Sequence, residues 1–97
     1  MAKKALMSLA AAEAIGLEAL MFLAEDEARI SRFLTLTGTD PSVLRQTAGN
    51  PDMLAAVLDY LMSDESQLLV FTSSKDLAPE DVGPALAMLS GAAHGTD

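Results

Sequence analysis

Asp40-Pro41, Asn50-Pro51-Asp52 and Ala78-Pro79-Glu80-Asp81 decide the fold of this chain. Proline is favoured at the first helical position, where its missing N–H costs no hydrogen bond. An Asp or Asn before it accepts a bond from one of the free amides of the first turn. The first two prolines each follow such a residue. Short apolar runs at helical spacing lie between these marks. The sequence therefore predicts an all-α chain, a single compact orthogonal array of five or six short helices.

Working outward from the prolines, a third helix spans residues 41–48, capped by Asp40 and closed by Gly49. Val43, Leu44 and Thr47 are its inward candidates. A fourth covers 51–62 behind Asn50, with Met53, Leu54, Val57, Leu58 and Leu61 on one stripe and Asp59 and Tyr60 toward water. Upstream, a first helix spans 8–24 with Ser8 as its cap. Leu9, Ala12, Gly16, Leu20 and Leu23 share a stripe that Ile15, Ala19 and Phe22 widen. Glu13 and Glu18 bracket its exposed edge. So wide an apolar arc belongs at the centre of the packing. Gly16 costs about 0.8–1 kcal/mol against alanine in a helix interior, and its use is close approach of another helix.

A second helix covers 26–37, where Ile30, Phe33, Leu34 and Thr37 recur at i, i+3, i+4, i+7. Arg29 and Arg32 fall on its wet side, and Gly38 sits where a left-handed residue ends helices. A fifth helix starts at Ser63 or Asp64, with Asp64-Glu65-Ser66-Gln67 resembling a capping box. Leu68-Leu69-Val70-Phe71-Thr72 also fits a strand, but a lone strand has no partner here. Ser73-Ser74-Lys75-Asp76 reads as a loop. A sixth helix covers 79–90. Pro84 inside it would cost about 3 kcal/mol at an interior position, so either 79–83 is a separate turn or the helix kinks. Loops this short force sharp turns and exclude a long up-down bundle.

The 97 residues make one domain, with an ordered core over about 8–90 and flexible ends at 1–7 and 91–97. The chain is 51% hydrophobic but only 4% aromatic, so its core is built from Leu, Ala, Val and Met. The absence of cysteine excludes a disulfide scaffold, a thiol nucleophile and thiolate zinc sites, and is consistent with a reducing cytoplasm. Lys3 and Lys4 followed by apolar residues mimic a secretory leader, but Glu13 and Glu18 interrupt the apolar stretch. The same two charges oppose a membrane span, since each costs about 2.5–3.5 kcal/mol at mid-bilayer on insertion scales. The expected location is cytoplasmic, without membrane attachment.

Net charge is −8. Ten of the fourteen acids, Glu25, Asp26, Glu27, Asp40, Asp52, Asp64, Glu65, Asp76, Glu80 and Asp81, fall at or near an expected helix start. There the free amides and the helix dipole favour an anion. The acidity is thus largely a consequence of having many helix N-termini, and it opposes nonspecific binding to nucleic acid or anionic lipid.

Glu18-Ala-Leu-Met-Phe-Leu-Ala-Glu-Asp, Arg32-Phe-Leu-Thr-Leu-Thr-Gly-Thr-Asp-Pro, Leu54-Ala-Ala-Val-Leu-Asp-Tyr-Leu and Asp64-Glu-Ser resemble a family of small helical alphaproteobacterial proteins catalogued as a domain of unknown function. The likeness runs over about 11–89. It implies a bacterial, cytoplasmic protein and carries no activity, cofactor or active site.

Candidate chemistry is thin. His94, the sole histidine, lies among Gly91, Ala92, Ala93 and Gly95 in the expected tail, where nothing orients an imidazole. Glu25-Asp26-Glu27 and Asp64-Glu65 lack the spaced acids and central glycine of a calcium loop, and helix capping explains both. No Gly-x-Ser-x-Gly, P-loop or dinucleotide fingerprint occurs. No catalytic residue, metal ligand or cofactor site is therefore assigned.

Residues 30–48 fit a helix-turn-helix, with Ser42, Arg45 and Gln46 toward a groove and Arg29 and Arg32 on phosphate. The candidate reading helix has one basic residue and opens on Asp40, in an acidic chain, whereas binding rests on neutralising phosphates. Met21 and Met62 are candidates for an adaptable surface, and Met53 and Met88 fall on core stripes. The leading expectation is a non-catalytic protein–protein interaction module, monomeric or weakly dimeric, with an unknown protein partner. A DNA-associated regulator and a cryptic enzyme are the alternatives.

Overall fold

Helices begin in this protein where an oxygen meets the free amides of a first turn. The computed structural model describes residues 7–93. It holds α1 (Leu9–Ala24), α2 (Glu27–Thr37), α3 (Pro41–Thr47), α4 (Pro51–Met62), α5 (Glu65–Ser74), a single 3-10 turn (Pro79–Asp81) and α6 (Val82–Ala93). No strand occurs among the described residues. The Ser8 hydroxyl accepts from the Ala11 amide at 3.0 Å. The Asp26 carboxylate accepts from the Ala28 and Arg29 amides at 2.9 and 3.2 Å. Asp40 accepts from the Ser42 amide at 2.8 Å, and Asp64 from the Gln67 amide at 3.3 Å.

Two helices end on the same left-handed device. Gly38, with φ of 70°, lets the Thr39 amide donate back to the Leu34 carbonyl. Asp76, with φ of 58°, does the same for α5, where the Leu77 amide reaches the Thr72 carbonyl at 2.8 Å. The pairing closes the last carbonyls of each helix.

The core is one cluster. Helix α4 supplies Leu54, Val57, Leu58 and Leu61, all with no exposed area. Helix α1 adds Ala12, Ile15, Ala19, Phe22 and Leu23, and α6 adds Val82, Ala85 and Leu89. These three helices pack on one another, and α2 and α5 close the sides with Phe33 and Phe71. The Phe22 and Phe71 rings lie 5.5 Å apart, and Tyr60 meets Phe33 edge-on at 5.2 Å. Each fully buried large apolar side chain contributes about 1.5–3 kcal/mol. Gly16 lets α1 approach α4, since a Cβ there would stand 2.9 Å from Leu54 Cβ.

The structure corrects several expectations. Arg29 turns inward: its guanidinium stacks on Phe22 at 3.9 Å and donates to the Phe22 carbonyl at 2.9 Å. That carbonyl lies in the last turn of α1, where the helix offers no donor. Tyr60 is half-buried because Phe33 covers its ring. Val43 points to solvent at 46% exposure, leaving Leu44 as the residue of α3 that packs against the core.

Leu9 is exposed at the open end of α1. Asn50 stands at the cap position of α4 without a side-chain bond, and the Met53 amide donates to the Asp52 carboxylate instead. Glu25 closes α1 instead of opening α2, and its carboxylate pairs with Lys75 Nζ at 2.6 Å. Ser73 and Ser74 belong to α5. Pro84 falls in the first turn of α6, whose amides need no helical partner, so it neither breaks nor kinks the helix. Gly91, Ala92 and Ala93 continue α6 rather than form a tail, and Met7 packs against the core. Residues 1–6 and 94–97 lie outside the described residues.

Candidate functional site

Several grooves open on the surface of the described residues, and two of them, with one helix face, are the candidates. The first groove, about 580 Å³, lies where the C-terminal halves of α2 and α4 meet the start of α5. Tyr60 lines it, and its hydroxyl is buried without a hydrogen-bond partner among the described residues. The other polar groups there are largely spent on their own helices. Thr37 donates to the Phe33 carbonyl at 2.7 Å and Ser63 to the Tyr60 carbonyl at 2.8 Å, while Asp64 caps α5. Arg32, Asp59 and Glu65 line the groove as well, so carboxylates outnumber the cation. Among the described residues, no hydroxyl lining the groove donates to a carboxylate.

The second groove, about 700 Å³, is apolar and lies between the start of α1 and α6, lined by Met7, Leu9, Pro84, Ala87, Met88 and Ala92. The open helix face belongs to α1. Ala10, Ala14, Leu17, Met21 and Ala24 are all exposed, opposite the buried stripe that faces α4 and α6. Leu17 and Met21 keep 42% and 55% of their area in water.

The residues singled out from the sequence do not converge. Asp26 and Asp64 are spent on caps, and Glu25 on Lys75. No group of three or more metal-ligating side chains occurs among the described residues. His94 lies outside them. Ser42, Arg45 and Gln46 are exposed on α3, and Arg32 on α2, but Arg29 is committed to Phe22. Helix α3 buries no residue. The Ser42 hydroxyl and amide hold the Asp40 carboxyl below its ordinary range, so α3 opens with a firmly ionised acid. Met53 and Met88 pack against the core, and Met21 and Met62 are exposed, as their spacing predicts. The sequence reading missed the outer stripe of α1. Its signal is the alternating four-and-three spacing of apolar residues from Ala10 to Ala24.

No described helix is long and apolar enough to cross a membrane. Searches of curated proteins and of solved structures returned no match. A family model described as a protein of unknown function, DUF3572, matches residues 9–92, from the first residue of α1 to the last turn of α6. The chain belongs to that family.

Proposed function

We propose that this protein is a non-catalytic protein–protein interaction module of the bacterial cytoplasm. One observation carries the reading: α1 is apolar around most of its circumference but is covered on one side only. A helix that is apolar all round is normally buried all round. Leu36, Val43, Met62, Leu69 and Val70 are exposed as well but are spread over four other helices, whereas Leu17 and Met21 lie one turn apart on α1, and it is contiguous apolar surface that marks docking sites. The DNA-associated alternative rests on the α2–α3 corner, and the ionised Asp40 at the head of α3 opposes it.

The test is affinity capture with the full chain from native cytoplasm, identifying bound protein and nucleic acid, followed by recombination of purified components. A stoichiometric protein that rebinds the purified chain supports the reading. Two results would overturn it: nucleic acid captured alone and retained at moderate salt, or turnover of a defined substrate abolished by one side-chain change.

A further inference from the structure

We infer that the outer stripe of α1 docks an amphipathic helix of a partner protein, with Lys or Arg flanking the apolar face of that helix. The inference rests on the interaction-module reading and names its surface and partner. Ala10, Ala14, Leu17, Met21 and Ala24 follow the four-three alternation that keeps one seam facing a second helix. The alanines let a partner backbone come close. Leu17 and Met21 are the large side chains of the stripe, and methionine adapts to irregular partners.

Charge chooses the occupant. Glu13 and Glu18 flank the seam on opposite sides, Glu18 exposed and Glu13 half-buried. Neither has an ion-pair partner among the described residues. No Lys or Arg occurs anywhere in α1, and Asp26 and Glu27 extend the acidity past its end, beyond the Glu25 carboxylate that Lys75 neutralises. Flanking charges of this kind set partner choice in helix pairs. A second copy would bring only carboxylates to the rims and would carry a further −8. Helix α1 also has 16 residues, short of the about 3–4 heptads that sustain a coiled coil by apolar contact alone. An anionic membrane is repelled by the same acids. A basic amphipathic helix satisfies both the seam and its rims.

The experiment selects a displayed library of helical peptides against the full chain at low salt. The expected winners carry apolar residues at heptad spacing with Lys or Arg beside them. A synthetic winner should lose at least about tenfold in affinity on L17Q/M21Q, and several-fold on E13Q/E18Q, which should also flatten the salt dependence. Melting curves confirm that each variant folds, as substitutions on an exposed face predict.

Any of six results overturns the inference. Winners with acidic or neutral flanks, or winners that bind L17Q/M21Q as tightly as wild type, do so. An absence of winners does so too. Self-association in sedimentation that L17Q/M21Q abolishes assigns the stripe to a second copy. A gain of about tenfold on deleting residues 1–6, which carry Lys3 and Lys4, assigns it to the chain's own segment. A captured partner that rebinds L17Q/M21Q unchanged leaves the module reading standing and removes α1 as its surface.

Discussion

Gly16→Ala is expected to destabilise this protein, although alanine is the better helix former. Gly16 lies mid-way along α1, facing α4 and α6. A methyl carbon there would stand 2.9 Å from Leu54 Cβ and 3.3 Å from Leu89 Cδ1. Comfortable carbon contacts are about 3.5–4.0 Å. Leu54 Cβ is bonded directly to the α4 backbone, so no rotamer change relieves the contact; α4 must move away from α1. Leu54 and Leu89 are both fully buried, in an interior packed as tightly as an organic crystal. Overpacking of this kind costs about 1–3 kcal/mol. Against it stands the helix-propensity gain of about 0.8–1 kcal/mol.

The net is a loss of about 1 kcal/mol, which for a domain this small lowers the melting temperature by roughly 4–8 °C. Gly91→Ala is the internal control. Gly91 is also helical, but nothing approaches its Cβ position within 4 Å. The propensity term then acts alone, and stability rises by up to about 1 kcal/mol, less near a fraying end. Urea titrations of both variants measure the pair. If Gly16→Ala matches or exceeds wild type, the two helices part without cost and the glycine is not a packing device.

Leu58→Ala empties a fully buried site on α4 and should cost about 2–5 kcal/mol in urea unfolding; a loss below about 0.5 kcal/mol would mean the core collapses onto the gap. Arg29→Ala removes both the stacking on Phe22 and the donor to its carbonyl, for about 1–3 kcal/mol in the same assay, with Arg29→Lys recovering only part. Asp76→Gly relieves the left-handed φ of 58° at the end of α5 and should raise the melting midpoint, since glycine takes that conformation at no steric cost. Asp40 has a folded pKa lowered below its ordinary 3.8, first by the Ser42 hydroxyl bond and then by the Ser42 amide. Its contribution is therefore complete above that value and is lost as pH falls through the lower folded pKa; the Ser42 amide resonance should titrate there, and the titration should vanish in Asp40→Asn.

Helix positions were legible because caps are local chemistry. Ser8, Asp26, Asp40 and Asp64 each act within three residues of themselves, so a reader of sequence sees both ends of the interaction. The errors lie where distance enters. Helical spacing puts Arg29 on the wet side of its own helix, yet its partner is Phe22 on the preceding helix. Tyr60 was read outward for the same reason, and Phe33 covers it. Glu25 was assigned to the next helix start, and its charge is met by Lys75, fifty residues away. Asp76 was read as a helix opener, whereas it fills the closing position of α5 normally held by glycine.

The outer stripe of α1 escaped notice for a different reason. By periodicity alone, a wide apolar arc reads as one surface belonging wholly to the core. In a helix rich in alanine, two seams can coexist, and their separate periods blur into one broad patch. The buried seam runs through Ala12, Ile15, Ala19, Phe22 and Leu23, and the exposed one through Ala10, Ala14, Leu17, Met21 and Ala24. What separates them is charge: Glu13 and Glu18 stand between the seams, one on each side. Both carboxylates keep contact with water, Glu18 exposed and Glu13 half-buried, so they stand at the two edges of the outer stripe without the cost of desolvation. On the docking proposed for the outer stripe, these two charges would be the groups that discriminate among partners.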